Sequence, residues 1–235
     1  MILHMRTSLL PTLAMLAALP TARAAAQVAT VDEGSFTISR DGRPAGREEF
    51  SIRRTPGGES GTTYVASATV SYNDRRLSPA LRADAGGSPL AYQVEVRVGS
   101  EVQERLMGQV GRGRFSASTK TPRGESSKEY VVSDGALILD DDVFHQYFFV
   151  AQGRRAGAVP VVVPRRNTQL TMRVEERGSE DVVVGGQRLS ARHLTLRDPA
   201  GGTDREIWVD GQNRVLKVEI PSRGVVALRD DAPRP

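Results

Sequence analysis

From Gly34 onward, apolar residues recur at every second position in short runs separated by turn residues, the pattern of strands with one buried face. Phe36 and Ile38 share a side in 34–40, as do Phe50 and Ile52 in 47–53, with Asp41-Gly42-Arg43-Pro44 as the turn between them. Residues 62–72 place Tyr64, Ala66, Ala68, Val70 and Tyr72 on one side. In 90–98, Tyr92, Val94, Val96 and Val98 alternate with Gln93, Glu95 and Arg97. Further strands are predicted at 77–84, 103–110, 114–120, 128–132, 136–139, 158–163, 169–176, 181–184, 187–197, 204–209, 214–220 and 224–229. In the hairpin around Asp210-Gly211-Gln212-Asn213, Leu216, Val218 and Ile220 alternate with Val215, Lys217 and Glu219.

The period changes once. Asp140-Asp141-Asp142-Val143-Phe144-His145-Gln146-Tyr147-Phe148-Phe149-Val150-Ala151 has no alternation and predicts a short helix with Phe144, Phe148 and Ala151 on one stripe. The aspartates are expected to cap its N-terminus, and Gly153 with Arg154-Arg155 to close it. The fold class expected is therefore mainly β: a curved antiparallel up-and-down sheet, half-barrel or open barrel, with one short helix covering the concave face.

The first 26 residues are of another kind. Arg6 precedes the apolar run Leu9–Leu19, and Ala22-Arg23-Ala24 or Ala24-Ala25-Ala26 forms an A-x-A cleavage site. The run contains Pro11, is followed by Pro20, and is shorter than the ~20 residues a membrane-spanning helix needs. Residues 1–26 are read as a signal peptide cleaved after Ala24 or Ala26, and 27–235 as one β-rich domain with a short disordered tail at 231–235. The mature chain is expected in the periplasm or outside the cell, not spanning a membrane.

Composition narrows the chemistry. With no cysteine, disulfides, thiolate metal sites and cysteine nucleophiles are excluded. The formal charge of +4 falls to about +2 without Arg6 and Arg23, too weak a field to imply nucleic acid. A serine hydrolase needs an activated serine beside His145 or His193, and Gly58-Glu59-Ser60-Gly61 is not a nucleophile elbow. Glu48-Glu49 and Glu175-Glu176 are strand neighbours that face opposite sides. Asp140–Asp142 with His145 resemble a metal set in residue type alone; capping accounts for them, so no metal, cofactor or catalytic residue is assigned. Arg112, Arg114, Arg123, Arg154, Arg155, Arg165 and Arg166 are read as solvated strand ends, with a patch for acidic head groups as the alternative. His193 is read as a structural histidine, and Trp208 as core or contact residue according to whether its face is closed.

Leu137–Tyr147, Arg192-His193-Leu194-Thr195-Leu196, Glu206–Asp210 and Val215–Pro221 are similar to segments of uncharacterised exported bacterial domains, which themselves resemble the periplasmic lipoprotein-carrier (LolA-like) half-barrel superfamily. That resemblance implies an antiparallel half-barrel with a helix-covered concave side; the chain departs from it in having one covering helix rather than several.

Four of the chain's twelve aromatic residues, Phe144, Tyr147, Phe148 and Phe149, lie in the helical segment. Either they plug the concave face, or they line a pocket for a lipid, acyl chain or lipoprotein together with Val94, Val96, Leu216 and Val218. The functional expectation is a non-enzymatic envelope protein binding such a ligand. The alternative is an envelope interaction module, with a protein partner and no ligand cavity.

Overall fold

The computed structural model describes residues 28–57, 61–132, 135–152 and 157–234; residues 1–26, Gly153 and Arg154-Arg155, where the signal peptide and the helix-closing residues were read, lie outside them. Eight antiparallel strands come first: β1 (Ala29–Arg40), β2 (Arg43–Gly57), β3 (Gly61–Tyr72), β4 (Arg75–Asp84), β5 (Pro89–Val98), β6 (Glu101–Gly111), β7 (Arg114–Thr121) and β8 (Gly124–Val131). After β9 (Leu137–Ile138) come a 3₁₀ turn at His145–Tyr147 and the helix α1 (Phe148–Gln152). The second series is β10 (Gly157–Val163), β11 (Thr168–Val184), β12 (Gln187–Arg197), β13 (Arg205–Val209), β14 (Val215–Ile220) and β15 (Val225–Arg229).

All fifteen strands belong to one sheet, in the order β8 to β1, then β15 down to β9. Each hairpin adds a neighbour beside the last, and the first and last strands meet in the middle: Phe36 to Arg40 of β1 pair with Arg229 to Val225 of β15. Tight turns set the register. Asp41 and Gly42 join β1 to β2 with φ of 50° and 74°, the double left-handed geometry that two-residue hairpins require. The sheet is antiparallel except at one edge, where Leu137 and Ile138 of β9 run parallel to Val161 and Val162 of β10. Among the described residues the barrel does not close by a ladder. Side chains span the gap: Gln169 donates to the Val131 carbonyl at 2.6 Å, and the Tyr130 hydroxyl to Asn167 at 2.9 Å.

The interior is apolar and contains residues from both halves, with Phe36, Ile52, Leu77, Leu81, Leu106, Val161, Met172, Leu196 and Val218 packed around the helical insert. A smaller cluster of Val182, Val184, Ala191, Trp208 and Leu216 lies apart from this core.

Two expectations change on this scaffold. The strands expected at 169–176 and 181–184 are one strand, β11, carried past Arg177 and Gly178 by a register shift opposite β12. In β14, Val209 pairs with Val215 and Trp208 with Lys217, so Leu216 is the extra residue of a bulge. Strict alternation would have put Leu216 beside Val218. Instead it packs with Trp208, while Val215 and Val218 join the core.

Candidate functional site

The segment 140–152 fills the space that the sheet encloses. Phe144, Tyr147, Phe148 and Phe149 are at most 3% exposed, and Phe148 and Phe149 meet the Tyr64 ring edge-on at 5.8 and 6.0 Å between centroids. Of the other residues proposed as lining, Val94, Val96 and Val218 belong to the same buried cluster, and Leu216 does not. The concave side is a packed core built around the aromatic insert.

The insert is held by Glu48, which strand parity places inward with Phe50 and Ile52 while Glu49 faces solvent. Its buried carboxylate accepts the backbone N–H groups of Phe144 at 2.6 Å and His145 at 3.1 Å, and it also meets His145 Nδ1. This reassigns the cap. The helical turn begins only at His145, after Asp142 with φ of 62°, so Asp140–Asp142 lie in a loop and Glu48 serves the first N–H groups. His145 stacks on Phe50 at 6.0 Å, and its Nε2 has no hydrogen-bond partner among the described residues.

The three aspartates take arginines. Asp140, 3% exposed, accepts from the Tyr92 hydroxyl and from Arg165 Nε, both at 2.7 Å. Burial holds its carboxyl above the ordinary range, with Arg165 and Tyr92 opposing that shift, and the same burial pushes the Tyr92 hydroxyl well up. Asp141 is met by Arg166 and by Arg223 at 3.1 Å, and Asp142 by Arg223 at 2.9 Å. Arg165 and Arg166 are thus engaged with this loop, while Arg114 pairs with Glu129. Among the described residues, no cluster of three or more His, Asp or Glu is placed to hold a metal ion.

His193 is fixed in a cross-strand row. Its ring stacks on Trp208 at 4.4 Å, Nδ1 meets Glu180 at 2.5 Å, and Nε2 meets Glu206 at 2.7 Å. Lys217 Nζ lies 4.4 Å from the Trp208 centroid on the next strand. Trp208 is 6% exposed, so this face is closed by its own neighbours.

An open apolar cleft lies on the outer face of β3 to β8, with a volume of about 650 Å³. Two adjacent cross-strand rows build it. One runs Val65–Arg82–Ala91–Gln109–Ser116–Glu129, the other Ala80–Gln93–Met107–Ser118–Ser127. Small residues on neighbouring strands leave the recess, and Met107, 57% exposed, stands in it. Sequence reading missed this surface because its residues are on the polar-facing parity; the signal was Ala80, Ala91 and Met107 where charged residues would be expected.

The chain matches no family model, and no curated protein matches it. Among solved structures it is similar to a β-barrel-like protein of domain of unknown function DUF1849 from Brucella abortus. That likeness has a TM-score of 0.54 and 9% identity, and covers 88% of this chain and 98% of that one. A DUF1089 family protein from Pseudomonas aeruginosa gives 0.40 and 15% identity over 91% and 98%. The first likeness shows the fold: this chain has a β-barrel-like architecture.

Proposed function

We propose that the protein is a non-enzymatic binding protein of the bacterial envelope, exported by residues 1–26, which holds an amphipathic ligand such as a lipid, an acyl chain or the lipid part of a lipoprotein. The ligand occupies the outer cleft of β3 to β8. One observation carries this reading: the aromatic insert packs the concave side, whereas the apolar recess of about 650 Å³ opens outward and has the size of a small-ligand site. The resemblance to lipoprotein carriers supports the ligand class. No helix among the described residues is long and apolar enough to cross a membrane.

Native mass spectrometry of delipidated protein incubated with palmitate or phospholipid tests this. The wild type should retain one ligand, and Ala91→Trp, which fills the cleft from a solvent-facing position, should lose it. Equal retention by both proteins, or no retention by the wild type, overturns the reading.

A second reading, an interaction module, rests on β8. This edge strand pairs only with β7 among the described residues, and its Val131 is 64% exposed. The two-residue turn pairing Thr121 with Gly124 turns the N–H of Ser127 away from β7. Ser127→Pro should therefore abolish capture of a partner strand while leaving the fold intact, and unchanged capture would exclude this edge.

A further inference from the structure

At the end of the sheet where β1 stops and β4 begins, four arginines face two carboxylates. Arg166 and Arg223 neutralise Asp141 and Asp142 through direct contacts. Arg40 and Arg75 point at the same Asp142 but stop at 3.9 and 3.7 Å, beyond hydrogen-bond reach. Neither side chain donates a hydrogen bond among the described residues, and they are 50% and 37% exposed. They border a recess of about 350 Å³ whose walls also include Pro44, Tyr72, Asn73 and the Asp142 carboxylate.

We propose that this recess is an oxyanion site for a phosphate ester, gripped by the guanidinium forks of Arg40 and Arg75. Arg40, Arg75, Arg166 and Arg223 outnumber the Asp141 and Asp142 carboxylates, and with Glu48 behind Tyr72 a net positive charge still remains, which suits an anion. A planar guanidinium presents paired N–H groups that match carboxylate and phosphate oxygens alike, but two forks from different strands offer more donors than the two oxygens of a carboxylate take bidentately, and a phosphate has oxygens for both. Tyr72 lines the same recess, and its hydroxyl is buried without a hydrogen-bond partner. Burial, with Asp142 and Glu48 nearby, raises its ionisation far above the ordinary range, so it remains an O–H donor. The ester belongs either to a soluble metabolite or to a lipid head group. The site lies at the β3–β4 turn, apart from the cleft residues, and does not depend on the function proposed above.

Calorimetry with inorganic phosphate, glycerol 3-phosphate and acetate covers the soluble source. Co-sedimentation with phosphatidylcholine vesicles, with and without phosphatidic acid, covers the lipid source. Both are run at about 0.15 M salt, where long-range attraction is screened. The two exposed arginines can change without unfolding the chain, and R123Q, on the β7–β8 turn, serves as the control. Loss of two charge-assisted contacts in the R40Q/R75Q double variant should weaken binding at least about tenfold, with R123Q unchanged. Loss in the soluble arm assigns a free phosphate ester, and loss in the vesicle arm alone assigns a head group. No saturable phosphate or phosphatidic acid binding, equal binding by the double variant, or acetate binding as tightly as phosphate overturns the proposal.

Discussion

Replacing Glu48 by alanine removes one acceptor from three buried donors: the N–H groups of Phe144 and His145 and the His145 Nδ1 position. Both side chains are 0% exposed, so bulk water does not reach the bonds that are lost. A buried polar group left without a partner costs about 1–3 kcal/mol. A water molecule entering the vacated space serves one or two of the three, which leaves one or two unserved and puts the expected loss at roughly 1–6 kcal/mol. That is a large share of the ~5–15 kcal/mol typical of a folded domain. At about 2–4 °C per kcal/mol for a chain of this size, the melting temperature should fall by roughly 2–24 °C. Urea unfolding is read by two probes: the single tryptophan, Trp208, reports on the sheet, and near-ultraviolet circular dichroism reports on the aromatic insert. Glu48→Gln, which keeps one acceptor oxygen, should recover part of the loss. A loss below about 1 kcal/mol for Glu48→Ala would show that the insert is held by packing alone and that this carboxylate is incidental.

Other perturbations test the same frame. Arg229 and Asp32 form a buried two-pronged ion pair at 2.8 and 3.0 Å beside the seam of β1 and β15; Arg229→Met should cost about 3–5 kcal/mol, and Asp32→Leu/Arg229→Met should recover most of it. Burial raises the Asp140 carboxyl above its ordinary 3.8, so between that value and the raised one the folded chain binds more of this proton than the unfolded chain does. Stability from this group is full below that value and is lost as pH rises through the raised one, so Asp140→Asn should flatten this part of the pH profile in urea titrations; an unchanged slope refutes it. A Cβ at Gly108 would lie 2.3 Å from the Phe115 ring, so Gly108→Ala should destabilise by about 1–3 kcal/mol, with relief in a Phe115→Leu background measured by thermal melting.

Much of the strand architecture could be read from alternation, because a one-sided sheet writes its parity into the chain; the runs from 34–40 to 114–120 fall within β1 to β7, and 128–132 runs one residue past the end of β8. The failures have local causes. Leu216 was assigned to the wrong cluster because a bulge adds a residue without altering the hydrophobic pattern. Asp140–Asp142 read as helix caps because carboxylates before an aromatic run suit that role, yet their partners, Arg165, Arg166 and Arg223, are distant in sequence and become visible only when the loop is placed. Glu48 was half legible: its parity with Phe50 marked an inward carboxylate, but its partner His145 is 97 residues away. The same limit hid the cleft, which exists only when small residues from six strands line up in register. The aromatic insert was recognised as either plug or lining, and packing decided for the plug because the sheet wraps it on both sides.

The proposed site makes the filled side structural and the open outer face the binding surface. Paramagnetic broadening by a nitroxide-labelled fatty acid tests it most directly. With the ligand on the outer face, the Met107, Ala80 and Ala91 methyl signals should be lost while the ring signals of Phe148 and Phe149 persist. Broadening of those ring signals with Met107 left sharp would place the ligand inside and contradict it.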